Sequence, residues 1–263
     1  MYGLQLELPL PRDDRFYGYP LRGLLGRALF DTVCLYADRL DDKACGLCRL
    51  RQHCAYPKVF KPVETDRLPP YWIHGWEAVG QRLRYDWYVL EAALPYLEAW
   101  LYGLQRRWRQ TQGGELAVWD SLSGRPVMAG RKLSPDALTP LSPPAVGAAC
   151  QLQTLSPLIS KHTGDPLYGP LRTRLQRLIQ LYGDGSRLDI EPQPWSCVTR
   201  LEKPVNISMT RRVLQGYHYQ FELSQITASA RELLQWGLCL HAGGHATVGC
   251  GAYRIETESC LVI

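Results

Sequence analysis

From Tyr2 to Leu10 the leucines at positions 4, 6, 8 and 10 alternate with Gln5, Glu7 and Pro9, the period-two signature of a half-buried strand. Pro20 then opens a helix whose buried stripe is Leu21, Leu24, Leu25, Ala28, Leu29, Thr32, Val33 and Tyr36, with Arg22 and Arg27 off the stripe. Tyr71-Trp72-Ile73 reads as a short strand. Leu90, Leu94, Leu97, Leu101, Leu104 and Trp108 step by four and three, which predicts a helix over Trp87–Trp108, kinked at Pro95. Arg106, Arg107 and Arg109 close it, either offsetting its C-terminal dipole or reaching a nucleic acid. Glu115 to Trp119 is a further strand.

Strand, helix, strand, helix and strand are placed in turn, and they are read as a ferredoxin-like unit, whose order is strand, helix, strand, strand, helix, strand, with an insertion. Prolines 135, 140, 143 and 144 then interrupt the periodic segments. They place a domain boundary there, dividing the chain into 1–140 and 141–263. A second set of elements follows: a strand over Cys150–Leu158, and a helix from Pro170 to Gly183 with Arg172, Arg174 and Arg177 turned away from its core face. A strand pair over Pro204–Glu222 reverses around Leu214-Gln215-Gly216-Tyr217, a helix spans Leu223–Leu240, and a last strand covers Tyr253–Glu256.

Across 263 residues the hydrophobic fraction is 46% and the charged fraction 21%, a composition that folds and does not stay disordered. No apolar run reaches the roughly 18 residues of a membrane span, and no basic-then-apolar leader opens the chain, so a cytoplasmic protein without membrane contact is expected. Nine cysteines, an odd number, argue against a disulfide framework. The net charge of +5 is small, yet most of the 30 basic residues are arginine, which suits forked contacts with phosphate where they cluster.

Two stretches carry candidate chemistry. In His241-Ala242-Gly243-Gly244-His245-Ala246-Thr247-Val248-Gly249-Cys250-Gly251, glycines would leave backbone N–H groups open to an anion, with His241, His245, Thr247 and Arg254 adding donors. The alternative is a glycine-rich turn with no ligand. In the second stretch, Cys45 and Cys48 have a spacing that suits a structural zinc ion, with Cys54 or His53 as a third ligand and Cys34 as a fourth, or else they are thiols that merely pack.

The helix, glycine loop and final strand, in that order, resemble the C-terminal signature of the CRISPR-associated repeat endoribonucleases, the Cas-six family of the RAMP superfamily. Three further stretches are similar to that family: Pro20-Leu21-Arg22-Gly23-Leu24-Leu25-Gly26-Arg27, Thr154-Leu155-Ser156-Pro157-Leu158, and Ser208-Met209-Thr210-Arg211-Arg212 ahead of a hairpin. The cysteines followed by Tyr56 and Phe60 resemble an insert seen in many members. The resemblance implies an α+β fold of two tandem ferredoxin-like (RRM-like, RAMP) domains, with a helical, Cys-containing insertion in the first. It also implies maturation of CRISPR RNA in antiviral defence, by cleavage of a repeat hairpin and retention of the mature guide RNA, with other effector subunits as partners. The reaction needs no cofactor: the ribose 2′-hydroxyl attacks the scissile phosphate and leaves a 2′,3′-cyclic phosphate and a 5′-hydroxyl.

Many members carry a general-base histidine where this chain has Ala37-Asp38-Arg39-Leu40-Asp41-Asp42-Lys43-Ala44, without one, a departure that points to a divergent subtype such as type IV. Arg22 and Arg39, with Lys43, are therefore assigned to charge stabilisation, and His241 or His245 to proton transfer. Arg27, Arg172, Arg174, Arg211, Arg212, Gly243, Gly244, Thr247, Gly249 and Gly251 are assigned to RNA binding. A non-cleaving RAMP subunit that carries guide RNA and a zinc-dependent nucleic-acid module are the competing readings.

Overall fold

In the computed structural model, residues 1–9, 18–37, 42–61, 67–129, 132–159, 165–191, 193–208 and 213–256 are described. The alternating N-terminal segment forms strand β1 (Tyr2–Pro9), with Leu4, Leu6 and Leu8 buried and Gln5 and Glu7 partly exposed. Met1–Leu141 makes one compact unit and Ser142–Ile263 another.

In the first unit β1 is followed by α1 (Gly18–Val33), β2 (Tyr71–Val79), β3 (Arg82–Val89), α2 (Leu94–Thr111) and β4 (Val118–Asp120). Short strands β5 (Pro126–Ala129) and β6 (Lys132–Leu133) extend the sheet, whose order is β2-β3-β1-β4-β5-β6 with every pair antiparallel. The first four strands and two helices are a ferredoxin-like unit. Leu21, Leu25 and Leu29 of α1 and Leu97, Trp100 and Leu104 of α2 pack on Leu4, Leu6, Tyr85, Trp87 and Val89. Trp100 satisfies its buried indole N–H on the Leu25 carbonyl at 2.8 Å.

The segment from Trp87 departs from the expected helix. Leu83, Tyr85, Trp87 and Val89 are buried at period two, so Trp87 belongs to β3 and α2 starts only at Leu94. Pro95 sits in the first turn of α2, where a missing N–H leaves no helical bond unmade, and therefore opens the helix where a kink was expected. Likewise β2 runs on to Val79, while β4 is confined to Val118–Asp120. Of the arginines at the end of α2, Arg109 lies in its last turn, where a cation offsets the dipole, and pairs with Glu115, while Arg107 pairs with Asp31 of α1 at 3.2 Å and Arg106 donates to the Asp31 carbonyl.

The insertion between α1 and β2 contains a 3₁₀ turn (Asp42–Leu47) and a π-helical turn (Tyr56–Phe60). Phe60 stacks on Tyr56 at 5.4 Å and on Tyr71 at 5.3 Å, so the insertion is anchored in the same core as the helices.

At the end of β4, buried Asp120 accepts from the Ser123 N–H and hydroxyl and from the Thr139 N–H. Burial alone would raise its pKa, but these hydrogen bonds outweigh it and hold the pKa below the usual carboxylate value. A depressed folded-state pKa adds stability above the unfolded value of about 3.9 and loses it as pH falls through the folded one. Acid titration should therefore show a loss of stability below about pH 4 that is smaller in Asp120→Asn, measured as the urea midpoint against pH. An unchanged acid limb in the variant would remove Asp120 from the cause.

The second unit repeats the topology with β7 (Cys150–Thr154), α3 (Tyr168–Tyr182), β8 (Ser196–Ser208), β9 (Val213–Ser224), α4 (Ala228–Leu240) and β10 (Tyr253–Glu256), in the sheet order β10-β7-β9-β8. All pairs are antiparallel and β8 is an edge. Leu171, Leu175 and Leu178 of α3 and Ala230, Leu233 and Leu234 of α4 are buried, as are Leu152, Phe221 and Leu223 of the sheet. Both units are thus ferredoxin-like.

Here too the limits shift. The strand from Cys150 ends at Thr154; α3 begins at Tyr168, where Asp165 accepts from the Leu167 and Tyr168 N–H groups; and Leu223 belongs to β9. Thr227 caps α4 by accepting from the Ala230 N–H at 3.3 Å. Leu214–Tyr217 lies inside β9, so the connection between β8 and β9 is residues 209–212. No described helix is long and apolar enough to cross a membrane.

Candidate functional site

The candidate residues of the glycine loop follow the C-terminal end of α4. The chain leaves the helix at His241 with φ 65° and enters a loop with further positive φ values at Gly243 (76°), His245 (60°), Gly249 (90°) and Gly251 (77°). Glycine takes this conformation without steric cost, and the two histidines are held in it by the loop's hydrogen bonds. Ala242 N–H donates to Gly251 O at 3.0 Å, Cys250 N–H to His245 O at 3.3 Å, and Gly249 N–H to Ala246 O at 2.8 Å.

The loop docks on residues 155–159, just after β7. Gly251 N–H donates to Pro157 O, Gly244 N–H to Ile159 O, and Ala252 N–H to the Ser156 hydroxyl, at 3.0, 3.0 and 2.9 Å. Two separated sequence motifs, the Ser-Pro-Leu segment and the glycine loop, are therefore one structural feature. This corrects the expectation of an open amide cradle, because the N–H groups of Ala242, Gly244, Val248, Gly249, Cys250 and Gly251 are engaged by backbone carbonyls within the unit. Gly249 and Gly251 are buried, whereas Gly244 is exposed and Gly243, His245 and Thr247 are partly so, which leaves these four as the loop's outer face.

The two histidines differ sharply. His241 is fully buried, with Nδ1 3.1 Å from the Cys250 carbonyl, and ties the two ends of the loop together. His245 stands partly exposed ahead of the short turn Ala246–Val248. Of the pair, His245 has the access that proton transfer to a bound molecule requires.

Arg174 was expected on the outside of α3. It is instead buried, and its Nε donates to the Leu240 carbonyl at the end of α4. Arg172 is half-buried with its guanidinium 6.0 Å from the Tyr168 ring centroid. Arg254, on the exposed side of β10, is paired with Gln153 and Glu256. Arg211 and Arg212 lie outside the described residues.

In the first unit Arg22 rises from the first turns of α1 and lays its guanidinium over the Phe60 ring, 4.8 Å from the centroid. The buried Tyr71 hydroxyl lies beside it: burial raises the Tyr71 pKa strongly, and the Arg22 charge acts in the opposite sense. Stacking covers a face of the guanidinium and leaves hydrogen bonding to its edge, where Tyr71 is a partner. Arg27 forms an ion pair with Asp31 at 2.8 Å and lies over Phe30. Arg39 falls outside the described residues, and of Lys43 only the backbone, in the turn Asp42–Leu47, is described.

Cys34, Cys45, Cys48 and Cys54 are unbridged, half-buried thiols. Burial pushes the Cys54 thiol up, and the neighbouring Cys34 and Cys48 add to this. Among the described residues no group of three His, Cys, Asp or Glu side chains is arranged to hold a metal ion.

Sequence reasoning quoted Ser156 within a motif without its role under the loop, and missed Tyr253 and Glu191 as supports of α4. The Tyr253 hydroxyl donates to Leu234 O at 2.8 Å, and Glu191 accepts from Thr227 and Ser229 at the start of α4. Their only sequence signal was polarity inside apolar runs.

Residues 4–110 match the family AF_1859_N, described as an N-terminal domain. No curated protein matches the sequence. Among solved structures, a "Cas6 (TTHB231) product complex" superposes with a TM-score of 0.55 at 12% identity, over 97% of this chain and 98% of that one. "CRISPR associated protein Cas6" does so with 0.53 at 10% identity, over 97% and 99%. "Thermus thermophilus Cas6 (TTHB231)" gives 0.52 at 15% identity, over 97% and 98%. At these identities the likeness is one of fold.

Proposed function

We propose that this chain is a Cas6-type CRISPR repeat endoribonuclease of the RAMP superfamily, which cleaves precursor repeat RNA and keeps the guide RNA it produces. The observation that carries the reading is the docked pair of motifs in the second unit, a glycine loop seated on residues 155–159, within a two-unit fold shared end to end with Cas6 structures. On this reading the loop's outer face, Gly243, Gly244, His245 and Thr247, meets the RNA, with Arg211 and Arg212 holding its backbone.

Cleavage proceeds by in-line attack of the 2′-hydroxyl on the adjacent phosphate, forming the cyclic phosphate as the bond to the 5′-oxygen breaks. The protein's tasks are to fix that geometry, to move one proton off the 2′-oxygen and one onto the leaving oxygen, and to stabilise the added negative charge. His245 is assigned the proton transfer, and charge stabilisation falls to arginine, which stays protonated and serves poorly as a base.

A non-cleaving RAMP subunit that holds guide RNA for an effector complex is the second reading. It is favoured by one observation, that burial of His241 leaves His245 as the accessible histidine of the loop.

Labelled repeat hairpins incubated with the protein in EDTA separate the two. Cleavage to products ending in a 2′,3′-cyclic phosphate is expected. Tight binding of intact RNA would establish the carrier instead, and cleavage that appears only on adding a divalent ion would overturn the chemistry.

A further inference from the structure

We infer that Arg174 is a positioning residue for the glycine loop, a buried cation that locks the C-terminal end of α4 and acts on bound RNA only through the loop that follows. The inference rests on the RNA reading above for its functional part and on geometry for the rest. Arg174 is 8% exposed, too little for a phosphate to reach its guanidinium. Burial draws its pKa down to about 10, so the cation persists at neutral pH.

Its placement follows from how α3 meets α4. Gly237 lets the helices approach closely, since a Cβ there would lie 2.6 Å from the Leu171 side chain. Three residues further along each helix, Arg174 reaches the Leu240 carbonyl. That carbonyl belongs to the last turn of α4, where carbonyls lack helical partners and carry the negative end of the helix dipole, the best local environment for a buried cation. The next residue, His241, turns to φ 65° and fastens to Cys250 across the loop. Leu240 is thus the point from which the whole loop is aimed, and Arg174 holds it.

The test compares Arg174→Met and Arg174→Lys in the full chain. Without RNA, amide hydrogen exchange at Ala242 and Gly249–Gly251 should quicken at least about tenfold in Arg174→Met, as expected for loss of one charge-assisted hydrogen bond, while the amides of Leu152 and Phe221 hold. Repeat-hairpin affinity should drop on the order of tenfold, a coupling of ordinary size, with the salt slope of binding unchanged. Arg174→Lys should restore part of both. A salt slope reduced by about 0.7 to 0.9 with unaltered exchange would make Arg174 a direct phosphate ligand and overturn the inference. So would exchange that quickens equally in β7 and β9, which would mark a general core residue, or no change in any measurement. If the parent protein binds no hairpin, the RNA reading fails by itself and the exchange comparison still decides whether Arg174 sets the loop.

Discussion

Replacing His245 with asparagine is expected to slow repeat cleavage by roughly 10²- to 10⁴-fold while leaving hairpin affinity near the parental value, as loss of a general acid or base does. The choice of asparagine follows from the backbone. His245 sits at φ 60°, with its carbonyl accepting from Val248 and Cys250, and asparagine tolerates this left-handed region better than other side chains do. The imidazole is then removed with the loop intact. A pH–rate profile that loses its inflection near neutrality would identify His245 as the proton carrier. A parental rate would exclude it and leave a mechanism in which Arg22 and its neighbours act by charge and positioning. His241 provides the contrast: buried and bonded to the Cys250 carbonyl, it should cost stability when replaced, before any effect on chemistry.

Gly251→Ala is expected to destabilise the second unit by about 3 kcal/mol or more. A left-handed residue with a Cβ costs ~1–2 kcal/mol and overpacking against rigid backbone ~1–3 kcal/mol. Both apply here, because φ is 77° and the added carbon would lie 1.8 Å from the Ala242 carbonyl oxygen. The two residues are tied by the hydrogen bond from the Ala242 N–H to the Gly251 carbonyl, so the clash cannot be relieved without opening the loop. Gly244→Ala is the control. Its Cβ would sit 3.7 Å from the nearest atom, Ile159 O, so a change within about 0.5 kcal/mol is expected. The urea midpoint at constant m-value measures both. Equal midpoints for the two variants would contradict the docked loop.

The elements that the sequence made legible are those whose pattern is set by one neighbour. Leu4, Leu6 and Leu8 of β1 and Leu21, Leu25, Ala28 and Leu29 of α1 pack on a single core as their periods predict, whereas Tyr36, read as the end of the α1 stripe, lies beyond the helix and is exposed, and Leu10 lies outside the described residues. Trp87 misled because the two-residue period of β3 runs directly into the helical spacing from Leu90, and no glycine or proline separates them. Gly216 misled in another way: it looked like a turn, but it lies in mid-strand where a Cβ would come within 3.0 Å of Pro157, so the glycine serves a close approach. Arg174 shows the limit of amphipathic reasoning at the candidate site. Its charge placed it outside the core stripe, and only the tertiary meeting of α3 with the last turn of α4 gives a guanidinium a reason to be buried. The glycine loop was visible, but its docking was not, because the acceptors of the Gly244, Gly251 and Ala252 amides are Ile159, Pro157 and Ser156, far earlier in the chain.

The edge position of β8 has a bearing on how copies of the chain behave when crowded. Thirteen residues long and largely exposed, with Val198 and Leu201 uncovered, it is the kind of border along which sheets of separate molecules add to one another and grow into fibres. Three features of the strand oppose that growth. A register shift between Thr199 and Leu201 breaks the regular spacing that a second strand would have to match. Arg200 and Lys203 would place cations against the same cations of an added copy. Pro204 has no N–H to offer and interrupts the row of donors. The long arm can therefore project into solvent without acting as a seed for polymerisation.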